Sequence, residues 1–273
     1  MRLPRRRSAQ EVLRRSVRHN NDAEGNITLN AYGLNVDTEF TRGSGVPLVF
    51  LHGWGGDVRS FAGAAEYFAL RGRTCLRFAF PPFGDSDMPP NSWDLHDYTR
   101  LTLAVMDKTG IDKAIIVAHS FGARVAIDIA SGADKDRAVA LALTGAAGLK
   151  PRRGIKYRIK KLRFKRDKRL GRDVSGYYSP DWLALPERMR GIFSRIVSLD
   201  LTDRLRYINC PTALFWGNGD AETPMYMCRK MKRRIRGAEI IRLKGGHFAY
   251  AEDHFTFVTA LAERVEKWIR LSM

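Results

Sequence analysis

A serine that attacks a carbonyl needs a base to take its proton, a carboxylate to orient that base, and amide N–H groups to hold the oxyanion. The sequence offers residue types for each role in four short blocks. Val117-Ala118-His119-Ser120-Phe121-Gly122-Ala123 lies where an apolar run gives way to a helical pattern. A nucleophile on so sharp a turn requires small residues two positions before and two after it, and Ala118 and Gly122 meet that need. The same turn aims the Phe121 N–H at a reacting carbonyl. Leu51-His52-Gly53-Trp54-Gly55-Gly56 follows the first long apolar run, and its glycines let the backbone approach the serine and offer Trp54 N–H as a second oxyanion donor. Phe215-Trp216-Gly217-Asn218-Gly219-Asp220 and Lys244-Gly245-Gly246-His247-Phe248 each follow one of the last two apolar runs. Ser120 reads as nucleophile, His247 as general base and Asp220 as the acid that orients it. Each block alone has a plainer reading, a glycine-rich turn capping a strand. Their joint occurrence, in the order Ser, Asp, His and each at a strand end, argues for acyl transfer.

Other assignments compete with these. Glu222 lies two residues beyond Asp220 and could serve as the acid, although the strand-end position favours Asp220. His52 and His119 fall inside the blocks but read as structural, since the neighbour of a nucleophile points away from it. His96 and His254 read as helix or loop residues. The histidines lack HxxxH or HxH spacing with carboxylates, so no metal site is expected, and the implied chemistry needs no cofactor.

Three loops can converge only if the elements behind them are parallel. Residues 26–40 alternate with period two around Tyr32-Gly33, predicting a hairpin. Apolar runs at 46–52, 73–80, 114–120, 139–145, 212–217 and 239–245 then alternate with helical stretches at 59–71, 97–109, 121–131, 221–235 and 255–271. In the last of these Phe255, Val258, Leu261, Val265 and Ile269 recur at helical spacing. Continuous apolar strands separated by helices predict a parallel sheet covered on both faces, with every strand-end loop on one edge. The gap from 146 to 211 is too long for one crossover and has a helical stripe of its own, Met189, Ile192, Phe193, Ile196 and Val197, which predicts an inserted helical cap.

On these blocks the chain resembles the α/β-hydrolase superfamily from about residue 27 onward, and is most similar to its small, capped bacterial serine hydrolases. The resemblance implies an α/β fold with a mostly parallel sheet of about eight strands, helices on both faces, and the inserted cap. It carries the catalytic roles onto Ser120, Asp220 and His247 and the oxyanion roles onto Trp54 and Phe121. The expected organisation is a basic tail at 1–20, a core at 21–145 and 208–273, and a cap at 146–207. Residues 79–86 resemble the family's D-x-P-G-x-G-x-S block, with Ala79 in place of its Asp and Pro82 in place of its first Gly. Serine as nucleophile argues against the dehalogenase and epoxide hydrolase branches, which use aspartate there.

Within the serine group a carboxylesterase acting on a small acyl substrate is the first expectation. Carbon–carbon bond hydrolysis, thioester cleavage, peptidase action and cofactor-free perhydrolysis stay open, as does a scaffold used only for binding. The formal charge of +18 arises from two segments: seven basic residues against one acidic in 1–18, and thirteen against Asp167 in 150–172. The run Lys150–Arg172 reads as a solvated helix face, or as a strip attracting anionic substrates or an anionic surface. No specific nucleic-acid motif accompanies it. Three cysteines without CxxC spacing and the lack of an apolar run of bilayer length point to a cytoplasmic protein without a transmembrane segment.

Overall fold

The structure, a computed structural model, describes residues 25–151, 155–177, 182–183 and 185–272; the basic tail at 1–20 lies outside them. Strands β1 (Gly25–Ala31) and β2 (Leu34–Thr41) form the expected hairpin. Tyr32 and Gly33 turn it with φ of 51° and 77°, the paired positive values a two-residue hairpin needs. Six strands follow: β3 (Ser44–Leu51), β4 (Arg73–Phe78), β5 (Ala114–His119), β6 (Ala138–Thr144), β7 (Thr212–Gly217) and β8 (Glu239–Leu243). They complete an eight-stranded sheet of order β1-β2-β4-β3-β5-β6-β7-β8. β1, β2 and β4 pair antiparallel, and every pair from β4 to β8 is parallel.

Side-chain alternation explains why both faces are covered. Val49, Leu51, Ile116, Ala118, Leu141, Leu143, Leu214 and Trp216 point into one apolar cluster. Their neighbours Leu48, Phe50, Ile115, Val117, Ala140, Ala142, Ala213 and Phe215 point into the other. Period-two geometry thus turns unbroken apolar runs into two cores. Helices α1 (Ala62–Ala69), α2 (Leu95–Lys108) and α3 (Phe121–Ser131) fill the first crossovers. Between β6 and β7 lie α4 (Ile155–Arg169) and α5 (Glu187–Ser198), and α6 (Met225–Arg234), α7 (Ala249–Glu252) and α8 (His254–Ser272) follow. No described helix is long and apolar enough to cross a membrane.

Two sequence expectations are corrected. Phe255 is 83% exposed, and Phe257 takes the buried place in the α8 stripe, because Phe257 stands four residues before Leu261 and eight before Val265. Residues 221–224 are not helical: Glu222 and Thr223 donate their backbone N–H groups to the Asp220 carboxylate, and α6 starts only after Pro224. In the segment between β6 and β7, Met189, Ile192 and Ile196 of α5 are fully buried, whereas Ile159 and Leu162 of α4 face solvent. Both ends of that segment are tied down, with Leu201 N–H donating to Gly148 O at 2.8 Å and Arg204 paired with the buried Asp128 of α3.

The loop after β4 is tied across the sheet to β2. Asp37 of β2 is buried, and its carboxylate accepts from the Asp85 N–H at 3.3 Å. Its own N–H donates to Ser86 Oγ at 2.9 Å, and that hydroxyl donates to Ala79 O at 2.8 Å. The Ala79 N–H closes the ring onto Asp37 O at 2.8 Å. Asp37→Ala is expected to destabilise the fold by about 1–3 kcal/mol through the stranded loop amide, measured as a lower denaturant midpoint at unchanged slope. An unchanged midpoint would mean that the loop does not depend on Asp37.

Candidate active site

The tightest local constraint is at the end of β5. Ser120 takes φ 47° and ψ −104°, a region that L-residues avoid, and caps the N-terminus of α3. The turn is held from three directions. Ser120 N–H donates to Thr144 O at 3.1 Å, Gly122 N–H to His52 O at 3.1 Å, and Ala147 N–H to Ser120 O at 3.2 Å. A Cβ at Gly122 would run into the carbonyl oxygens of Leu51 and His52, so glycine is required by the close approach of the β3 loop. Trp54 on that loop packs edge-on against Phe83, Phe121 and Phe193, with centroids 5.2, 5.2 and 5.0 Å away. Among the described residues neither Trp54 N–H nor Phe121 N–H donates to a backbone carbonyl. Phe121 N–H also lies at the positive end of α3.

The loops after β7 and β8 bring Asp220 to His247. His247 Nδ1 lies 3.0 Å from Asp220 Oδ2 and 3.2 Å from Oδ1, and both side chains are almost wholly buried. Burial works against the Asp220 charge. Hydrogen bonds from His247, from Thr223 N–H at 2.8 Å and from Thr223 Oγ1 at 2.7 Å outweigh it and hold the carboxyl below its usual range. Glu222, the competing acid, does not reach Nδ1. Its largely exposed carboxylate stands 3.3 Å from the other ring nitrogen, Nε2. Ser120 Oγ makes no hydrogen bond among the described residues, so the serine and the histidine meet as walls of one pocket rather than as a bonded pair.

The two remaining motif histidines are buried and neutral. His52 Nε2 accepts the Phe80 N–H at 2.7 Å, which leaves Nδ1–H to donate to Gly53 O at 2.7 Å. His119 Nε2 donates to His247 O at 3.0 Å, and its ring lies tilted against that of His247 with centroids 4.8 Å apart. Both therefore brace the loops, as their neighbour positions imply. His96 is exposed beside Asp128, and His254 opens α8. Among the described residues no group of three His, Cys, Asp or Glu side chains could hold a metal ion.

Ser120, Trp54, Phe121 and His247 line one pocket of about 310 Å³, together with Phe193, Ile196 and Val197 of α5, and with Arg124, Glu222 and Phe248. That volume suits a small ligand. None of the described lining residues falls in 150–172.

Residues 48–260 match the alpha/beta hydrolase family, most of the chain. The chain belongs to that family. It is 28% identical over 240 residues, 77% of this chain and 88% of the other, to the AB hydrolase superfamily protein YisY of Bacillus subtilis. Among solved structures it is similar to an esterase from Exiguobacterium antarcticum, with TM-score 0.70 and 20% identity over 89% of this chain and 100% of that one. The enol-lactonase from Burkholderia xenovorans superposes with TM-score 0.68 and 18% identity over 88% of this chain and all of the other. At such identities the structural likeness speaks for the fold.

Sequence reasoning overlooked two residues of the site and one that holds the 79–86 loop. Thr223 follows Asp220 by three positions, the spacing at which a side-chain oxygen can bond back within a turn. Arg124 follows Ser120 by four, a lone charge in an otherwise small and apolar first turn. Asp37 had no local signal, since it reaches its loop only through sheet pairing.

Burial pushes His52 down to about 4 and His119 down to about 3, both from 6.5. As pH falls below 6.5 the unfolded chain takes up these protons first, so their contribution is complete above that value and is lost toward pH 4 and below. A tenfold change in proton affinity is worth about 1.4 kcal/mol, so the two histidines together contribute at most several kcal/mol. The denaturant midpoint is expected to be level above pH 7 and to drop between about pH 6.5 and 4, with a shallower slope in His52→Asn. A midpoint that does not move over that range would contradict the neutral, buried assignment.

Proposed function

We propose that the protein is a serine hydrolase cleaving a carboxylic ester of a small molecule through an acyl-enzyme, with Ser120, His247 and Asp220 as its catalytic set. The observation that carries this reading is the buried Asp220–His247 pair. It occupies Nδ1 and turns Nε2 toward the pocket in which the strained Ser120 also stands. Asp220 holds the Nδ1–H tautomer and stabilises the imidazolium that forms. His247 Nε2 takes the proton as Ser120 Oγ bonds to the ester carbon. The oxyanion lies against Trp54 N–H and Phe121 N–H, and the alcohol leaves with the proton from His247. Water, deprotonated by the same nitrogen, then attacks the acyl-enzyme, releases the acid and returns the proton to Ser120. Glu222, largely exposed, stands 3.3 Å from Nε2, so Ser120 Oγ has to take that place for the proton to pass.

Residues 146–207 serve in this reading as a cap, and Phe193, Ile196 and Val197 set the size of the acyl or alcohol group. The similar structures include an esterase, an enol-lactonase and a meta-cleavage product hydrolase from Pseudomonas fluorescens, names compatible with an ester and equally with a carbon–carbon bond as the bond broken. The basic run at 150–172 supports only a long-range, salt-screened attraction for anions.

A fluorophosphonate probe is expected to label the protein at Ser120, with labelling lost in Ser120→Ala and His247→Ala; an unlabelled wild type would favour a binding scaffold. Asp220→Asn should lower kcat by on the order of 10⁴-fold and Glu222→Gln by no more than about tenfold. The reverse ranking would move the orienting role to Glu222. On a panel of p-nitrophenyl esters of graded chain length, Phe193→Ala should shift the optimum to longer chains, because it removes a ring from the pocket wall, and an unmoved optimum would take Phe193 out of substrate selection.

A further inference from the structure

The pocket contains a buried positive charge that the ester mechanism does not use. Arg124 lies four residues beyond Ser120, about 6 Å along α3 at 1.5 Å per residue, and lines the same pocket. The residue is 6% exposed. Its one hydrogen bond to the described residues runs from Nη1 to Leu199 O at 3.1 Å. Among the described residues no carboxylate lies within ion-pair distance of it, and Asp200 acts on it only from farther away. Several other partly buried arginines are paired, Arg77 with Glu39, Arg137 with Asp107 and Arg264 with Glu239, while Arg190 lies over the Trp182 ring. Glu222, the carboxylate that shares the pocket, is mostly exposed and stands against His247, so it does not neutralise Arg124.

A guanidinium that is mostly buried with no carboxylate beside it is a costly arrangement, and an incoming anion would complete it. The planar fork offers five N–H donors, of which one is in use, and two parallel donors match the two oxygens of a carboxylate. Burial pushes the group down to about 10, which leaves it charged at neutral pH. The surrounding walls, Trp54, Phe121, Phe193 and Ile196, are aromatic or aliphatic and supply no competing acceptor.

We infer that Arg124 is the carboxylate-binding residue of this pocket, so that, on the reading of Ser120 as nucleophile, the natural substrates are small esters that also carry a free carboxylate. The contact sets specificity: it seats the anion in the same pocket as the nucleophile and is shielded from salt, unlike attraction by the basic run at 150–172.

Two matched ester pairs test this, one with the charge on the acyl side and one on the alcohol side: p-nitrophenyl butyrate against mono-p-nitrophenyl glutarate, and phenyl acetate against 4-acetoxybenzoate. The wild type is expected to favour the anionic member of at least one pair by about tenfold or more in kcat/KM, at low and at high salt, chiefly through KM. In Arg124→Gln that ratio should fall to about one or below, and Arg124→Lys should keep part of it. A wild type that favours the neutral member of both pairs overturns the proposal. So does a ratio that survives Arg124→Gln, which would leave the arginine as a staple for the Leu199 carbonyl. Binding of glutarate and benzoate to Ser120→Ala, followed by calorimetry with and without Arg124→Gln, reads the subsite without turnover. Carboxylate binding that depends on Arg124 in a protein that cleaves no ester would refute the esterase reading alone, and binding indifferent to Arg124 would refute this one. Melting curves of each variant identify any that fail to fold, in which case Arg124→Lys carries the comparison.

Discussion

The backbone of Ser120 is bent into a conformation that costs an L-residue free energy, and it persists because neighbouring chain segments over-determine it. Thr144 O holds its N–H from β6, the Ala147 N–H holds its carbonyl, and the β3 loop passes so close that only glycine fits at position 122. Each of those contacts comes from a different strand or loop of the parallel sheet. The order of strands β3-β5-β6 is therefore what sustains the turn, and the turn is what lifts the hydroxyl clear of the sheet edge. Register errors in β3 or β6 would release the strain and withdraw the serine.

Burial is used in opposite ways at the ionisable groups around this turn. His52 and His119 are kept neutral, His52 with both ring nitrogens and His119 with one joined to backbone groups, so they fasten loops without adding charge beside Ser120. Asp220 keeps its charge in an equally dry place because four hydrogen-bond donors converge on it. Arg124 is the exception. Its environment is as dry as theirs, yet its guanidinium has a single backbone carbonyl as partner. An imbalance of this kind in a pocket wall is where recognition of an outside group is written into a fold.

The segment between β6 and β7 is joined to the sheet through the helix that starts at the serine. Arg204 reaches Asp128 of α3, Arg124 of α3 reaches Leu199, and the two ends of the segment bond to each other at Gly148 and Leu201. Helix α3 is consequently both the support of the turn and the anchor of the pocket's second wall, α5. The loop at 79–86 is likewise held across the sheet, by Asp37 of β2.

Local chemistry in the sequence was enough to settle the α/β architecture, the strands and most helix boundaries, because continuous apolar runs, glycine turns and helical spacing are nearest-neighbour signals. It also nominated Ser120, Asp220, His247, Trp54 and Phe121, since each block announces itself by the small residues a tight turn demands. Which elements meet was not legible. Strand order, the pairing of β2 with β4, the seating of Phe257 in place of Phe255, the position of Glu222 at Nε2 rather than Nδ1, and the fastening of the 79–86 loop by Asp37 all depend on contacts between residues far apart in the chain. Arg124 shows the limit most clearly. In sequence it is one charge in a helix, and only the tertiary structure, by enclosing it beside Ser120 with no counter-charge, turns it into a feature of the site.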